Sequence, residues 1–147
     1  MNNKIITTVG RPLFFVLAVA ALFQFTPGGK TIKAQDSSRV FELRTYTATP
    51  GNLDKLHARF RDHTTRIFEK HGMTVVAYWT PTDAEAAQDT LIYVLAHDSQ
   101  EAADASWRAF GQDPEWRQVS EASNADGSIL AGVERVYMTA TDFSPMK

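Results

Sequence analysis

The sequence predicts one α+β domain with the order β-α-β-β-α-β, and three observations carry the prediction. Residues 39–47 alternate in the period-two manner of a strand. Apolar side chains then recur at helical spacing from Leu53 to Ile67. Two β-rich runs follow one another before a second helical stretch gives way to a last strand.

The elements follow in order. In "RVFELRTYT", Phe41, Leu43 and Thr45 point one way, and Val40, Glu42, Arg44 and Tyr46 the other. "ATPGNL" opens a helix, with Thr49 expected as N-cap and Pro50 at the first helical position. Leu53, Leu56, Phe60, His63 or Thr64, and Ile67 mark its apolar stripe; His71 falls in the last turn and Gly72 stops it. "MTVVAYWTP" is a second strand, "TDAEAAQD" a turn, and "TLIYVLAH" a third strand apolar on both faces. "DSQEAADASWRAF" opens on a box-like Asp98-x-x-Glu101 and runs as a helix to Gly111. Asp113-Pro114 caps and restarts a short helix, and "DGSILAGVERVYMTATDFSP" returns as the final strand. This is the ferredoxin-like order, one domain over residues 39–145.

Residues 1–34 are of another kind. Lys4 and Arg11, with no acid, accompany an apolar run from Leu13 to Phe23. That run is short for a bilayer span, which needs about 20 residues, and suits the h-region of a signal peptide with a cut after Ala34. The expectation is export to the periplasm or beyond, with a membrane anchor as the alternative if the segment is retained.

Of the 15 Lys and Arg residues, four lie in this segment. The remainder of the chain holds 11 against 17 acids, a formal charge of −6. That excludes a basic stripe for a phosphate backbone, so no nucleic-acid partner is expected. The absence of cysteine removes disulfides, thiolate metal sites and thiol catalysis together.

A four-stranded sheet with both helices on one side leaves its other side bare. Here Ile92, Val94 and Ala96 on one face of the third strand mirror Leu91, Tyr93 and Leu95 on the other. An apolar face of that size is expected to be covered by a second copy, giving a two-fold dimer.

Three of the four histidines flank or sit on the first helix. His57 and His63 are separated by roughly 9 Å of rise and 240° of rotation, and His63 and His71 by roughly 12 Å. Two ligands on one helix want a spacing of three or four residues, so a metal site built from this helix alone is excluded and none is predicted. His71 reads as a donor at the negative end of the helix dipole, and His57 as a flank residue. His63 falls on or beside the stripe facing the sheet, either as a core-edge histidine bonded to a carbonyl or as a ligand contact or general base in a pocket between helix and sheet. His97 ends the third strand and is expected to be exposed. Along the first strand Glu42, Arg44 and Tyr46 form a polar file beside Arg135, Tyr137 and Thr139 of the last strand. An internal Arg44–Glu42 salt bridge is one reading and an anionic or carbonyl-bearing ligand docked on Arg44 the other. Trp79 and Tyr93 are bulk for a core or walls for a pocket.

Together "FELRTYTATPG", "HTTRIFEKHGM", "VVAYWTP", "FGQDPEWRQVSEAS" and "TDFSP" resemble the NIPSNAP family over residues 40–145. The resemblance implies a ferredoxin-like unit that pairs into a dimeric α+β barrel. The same superfamily of folds includes cofactor-free monooxygenases, haem-degrading monooxygenases and chlorite dismutases, which hold haem or substrate between helices and sheet. It implies no particular reaction for this chain. The leading expectation is a homodimer that binds a small apolar or aromatic molecule in that space. Arg44, Tyr46 and His63 are the polar candidates and Trp79 and Tyr93 the walls. If chemistry occurs, His63 moves a proton and Arg44 holds an oxyanion. No cofactor is predicted. The alternatives are haem with His63 as axial ligand, a monooxygenase-like enzyme without cofactor, and a non-catalytic protein-interaction module.

Overall fold

A computed structural model of the chain describes residues 39–146; the segment 1–34 expected to be a signal peptide or anchor lies outside them. Four strands, β1 (Val40–Ala48), β2 (Thr74–Trp79), β3 (Thr90–His97) and β4 (Leu130–Thr139), form one antiparallel sheet in the order β2-β3-β1-β4. The helices are α1 (Leu53–Arg59), α2 (Thr65–Lys70), α3 (Gln100–Gln112) and α4 (Pro114–Ser123). A π turn, Phe60–Thr64, joins α1 to α2, and a 3-10 turn, Ala86–Gln88, precedes β3. Strand order and helix placement are those of the expected ferredoxin-like α+β unit.

The π turn has a physical reason. Leu56, Phe60, Thr64 and Phe68 are all buried at strict spacings of four, and over three such steps an α-helix drifts by about 120° away from one face. The wider turn absorbs that drift and keeps the file aimed at the sheet. The Thr64 and Thr65 hydroxyls donate to the carbonyls of Arg59 (3.1 Å) and Phe60 (2.9 Å), five residues back.

Two caps differ from expectation by a few residues. The first helix starts at Leu53 rather than Pro50, because Gly51 at φ +76° turns residues 49–52 back on themselves. Thr49 is committed elsewhere, its hydroxyl donating to the Ser128 carbonyl at 2.8 Å beside the start of β4. At α3 the cap is Ser99, which accepts from the Ala102 N–H at 3.1 Å, rather than Asp98, which is exposed where β3 ends. Asp113 caps α4 as expected, accepting from the Glu115 N–H at 2.8 Å. It also meets His71 Nε2 at 2.6 Å and Lys70 Nζ at 2.8 Å, which ties the end of α2 to the start of α4. These partners hold the Asp113 carboxyl well below the usual carboxylate range, the Lys70 bond foremost.

The core lies between the helices and the even-numbered face of β1. Leu56, Ile67 and Phe68 pack with Tyr46, Tyr93, Leu95 and Phe110, and Tyr46 meets Tyr93 edge-on with centroids 5.2 Å apart. Opposite them, Leu43, Val94, Val136 and Met138 share the outer face by register, with Val136 and Met138 exposed.

Candidate functional site

Three places between or beside the helices and the sheet carry polar groups in apolar surroundings. The first is a buried ion centre. Glu42, fully buried, accepts from Arg44 Nη1 (2.9 Å), His97 Nε2 (3.0 Å) and Trp107 Nε1 (2.6 Å). Burial pushes its carboxyl up, but the His97 and Trp107 hydrogen bonds and the Arg44 charge outweigh it, and the net direction is down. Arg44 lies 4.0 Å from the centroid of the Trp107 ring. The internal salt bridge is therefore formed through Nη1, and Arg44 Nε is buried without a hydrogen-bond partner.

His97 corrects an expectation. It is buried, 2 % exposed, not solvent-facing. Strand parity explains it: Leu91, Tyr93, Leu95 and His97 alternate toward the helices, and register sets His97 opposite Val40 on the face that carries Glu42.

The second place is a cleft of ≈ 430 Å³ where the first helix meets the β2 edge. Phe60, Tyr78, Trp79 and Leu91 supply its apolar wall, and His57, Arg61 and Thr65 its polar groups. Trp79 is 48 % exposed. Thr65 gives its proton to the Phe60 carbonyl, so the Tyr78 hydroxyl is the donor in their 2.9 Å contact. His57 Nε2 is buried and has no hydrogen-bond partner.

The third is a small cavity, ≈ 130 Å³, between Tyr46, Arg59, Phe60, Trp116 and the polar residues around Asn124.

The five residues singled out from sequence are thus dispersed. Trp79 lines the cleft, Tyr46 the small cavity, and Arg44 belongs to the ion centre. Tyr93 is fully buried core, its phenol pushed well up by burial. His63 is exposed and borders a surface depression with Lys55, Asp62 and Asp126. The sheet-facing position assigned to it belongs to Thr64, because the π turn keeps the file Phe60, Thr64, Phe68 inward and leaves residue 63 outside. His63 does not face the helix–sheet space in which a haem would need an axial ligand. Sequence reasoning missed Arg59 and undervalued His57. Arg59 follows Leu56 by three residues and precedes the buried Phe60, a position that signals an inward side chain.

The NIPSNAP family model matches residues 41–145. The chain belongs to the NIPSNAP family. No curated protein matches it. Among solved structures, it is similar to a NIPSNAP family protein of unknown function from Agrobacterium tumefaciens. Identity there is 19 %, over 76 % of this chain and 96 % of that one, with a TM-score of 0.65. A NIPSNAP-like domain protein from Burkholderia xenovorans matches at 14 % identity, over 74 % and 90 %, with a TM-score of 0.64. A Streptomyces coelicolor monooxygenase in complex with nanaomycin D matches at 17 % identity, over 71 % and 89 %, with a TM-score of 0.51. At these identities the likeness is one of fold.

Proposed function

We propose that this NIPSNAP domain is an exported homodimer that binds a small apolar or aromatic molecule in the cleft beside β2. One observation carries the reading. His57, whose Nε2 is buried without a partner, lines a cleft walled by Phe60, Tyr78, Trp79 and Leu91. A buried polar atom left unpaired costs about 1–3 kcal/mol, and a ligand hydroxyl or carbonyl would remove that cost. Few polar groups in a mostly apolar recess is the ordinary make-up of a small-molecule site. The likeness to a monooxygenase that holds nanaomycin D supports a ligand in this fold and transfers no chemistry.

The test uses 1-naphthol, a neutral aromatic with one hydroxyl, titrated into the full chain and followed by tryptophan fluorescence. The expected result is saturable quenching, weakened about tenfold by His57→Ala through the lost hydrogen bond. Trp79→Ala should weaken it by a similar factor in a calorimetric titration, through the lost aromatic wall. Unchanged affinity in both variants would remove the cleft as the site. For export, protein recovered from an exporting host should have the mass of a chain starting at Gln35.

A further inference from the structure

Arg59 and Arg44 pose the same physical problem, and among the described residues the fold supplies a counter-charge to only one of them. A guanidinium stays protonated in proteins, so burying it requires a compensating anion or a full set of acceptors. Arg44 has the Glu42 carboxylate at 2.9 Å. Arg59 is 5 % exposed and pairs with no carboxylate among the described residues. Its Nη1 donates to the Ser123 hydroxyl at 3.2 Å, and its Cζ lies 5.3 Å from the Trp116 ring centroid. Nε is buried with no acceptor. The guanidinium is thereby left without a counter-charge and with one N–H unsatisfied.

Arg59 lines the ≈ 130 Å³ cavity, a volume equal to about four waters in the liquid. Ser120, Asn124 and Ser128 line one part of it, and Tyr46, Phe60 and Trp116 the apolar remainder. Much of the local polar capacity is already spent. Ser123 donates to the Ser120 carbonyl, Asn124 bonds Ser120 and Ile129, and Ser128 bonds Leu130. What is missing is negative charge.

We infer that the cavity at Arg59 is a binding site for a small carboxylic acid with a short apolar tail, its carboxylate supplying the counter-charge that the Arg59 guanidinium lacks. This site is separate from the cleft at His57. The ring of Phe60 borders both, and the charge-bearing residue is not shared.

The experiment is a thermal-shift and calorimetric titration of the full chain with butyrate, with sulfate at matched ionic strength as control. Butyrate should raise the melting temperature saturably, and sulfate should not. Arg59→Met should abolish the butyrate shift while leaving the unliganded protein as stable as the parent or more so, because it removes an uncompensated buried charge. A merely structural arginine would instead lose stability on that substitution and give no butyrate response in the parent. Arg59→Lys, which keeps the charge but not the fork, should weaken butyrate by at least tenfold. No saturable butyrate binding by the parent overturns the inference, as does binding that Arg59→Met leaves intact. A parent response to sulfate equal to that to butyrate would mean a general anion site and would also overturn it. Since 1-naphthol carries no charge, its binding tests the cleft independently.

Discussion

Glu42→Ala is expected to be the most destabilising single substitution in the domain, costing about 3–5 kcal/mol. It removes the common acceptor of three donors and leaves the Arg44 guanidinium, packed against Trp107, without its counter-charge. In a domain of this size that corresponds to a fall of roughly 10–20 °C in melting temperature. Glu42→Gln keeps an acceptor oxygen and should cost less. The double substitution Glu42→Ala with Arg44→Met should recover part of the loss, since removing both members of a buried pair is far cheaper than removing one. Urea denaturation of the parent, Glu42→Ala, Arg44→Met and the double variant measures the coupling directly. Additive single effects would mean that Arg44 finds another partner.

The same centre sets an acid limb. Glu42 is held below its ordinary value near 4.5, so the unfolded chain takes up its proton first as pH falls. The stability it contributes is fully present above that ordinary value and is lost as pH drops through the folded one. Asp113, also held down, acts in the same direction. Melting temperature should therefore decline below about pH 4.5, and the decline should be shallower in Glu42→Gln. An equal slope in both proteins would assign the acid limb to other carboxylates.

How far these centres could be read from sequence depends on the period involved. Strand parity alone separates the two faces of β1, and it places Glu42, Arg44 and Tyr46 together on the helix side. The same parity would have buried His97, whose position at the strand end invited the opposite reading. Helical spacing was less dependable, because the π turn inserts a phase shift that no residue type announces. Between His63 and Thr64 the sequence stripe is ambiguous by one position, and that one position separates an exposed imidazole from a buried hydroxyl. Cavities are harder still. Whether Tyr93 fills a core or walls a pocket depends on which rings come within 5–6 Å of it. Four do so here, those of Tyr46, Phe60, Phe68 and Tyr78. Arg59 needed no cavity to be noticed, only the recognition that a basic residue three positions after Leu56 must turn inward.

The outer face of the sheet gives the second large effect. Strand spacing and rise make it roughly 19 by 26 Å, with Leu43, Ile92, Val94, Val136 and Met138 on it by register. The face measures about 500 Å² in all and also carries Thr45 and Glu134, and an exposed apolar patch of a few hundred Å² within it marks an interaction surface. A second copy of the chain, laid face to face, would cover it isologously. Val136, 55 % exposed and opposite Leu43, is the position at which to test this. In a single protomer Val136→Asp should change folding stability by no more than about 0.5 kcal/mol, as surface substitutions do. In a two-fold pair it places a desolvated carboxylate from each copy in the seam, and the dimer should be lost. Sedimentation equilibrium at micromolar concentration is expected to give the dimer mass for the parent and the monomer mass for the variant, with matching circular dichroism. A parent that sediments as a monomer would refute the pairing. Trp79 makes the result bear on function, because it stands opposite Ile92 on this face and also lines the His57 cleft. If the dimer closes that cleft, Val136→Asp weakens 1-naphthol binding without touching the site. If affinity is unchanged in the monomer, each protomer carries a complete cleft and the pairing serves stability alone.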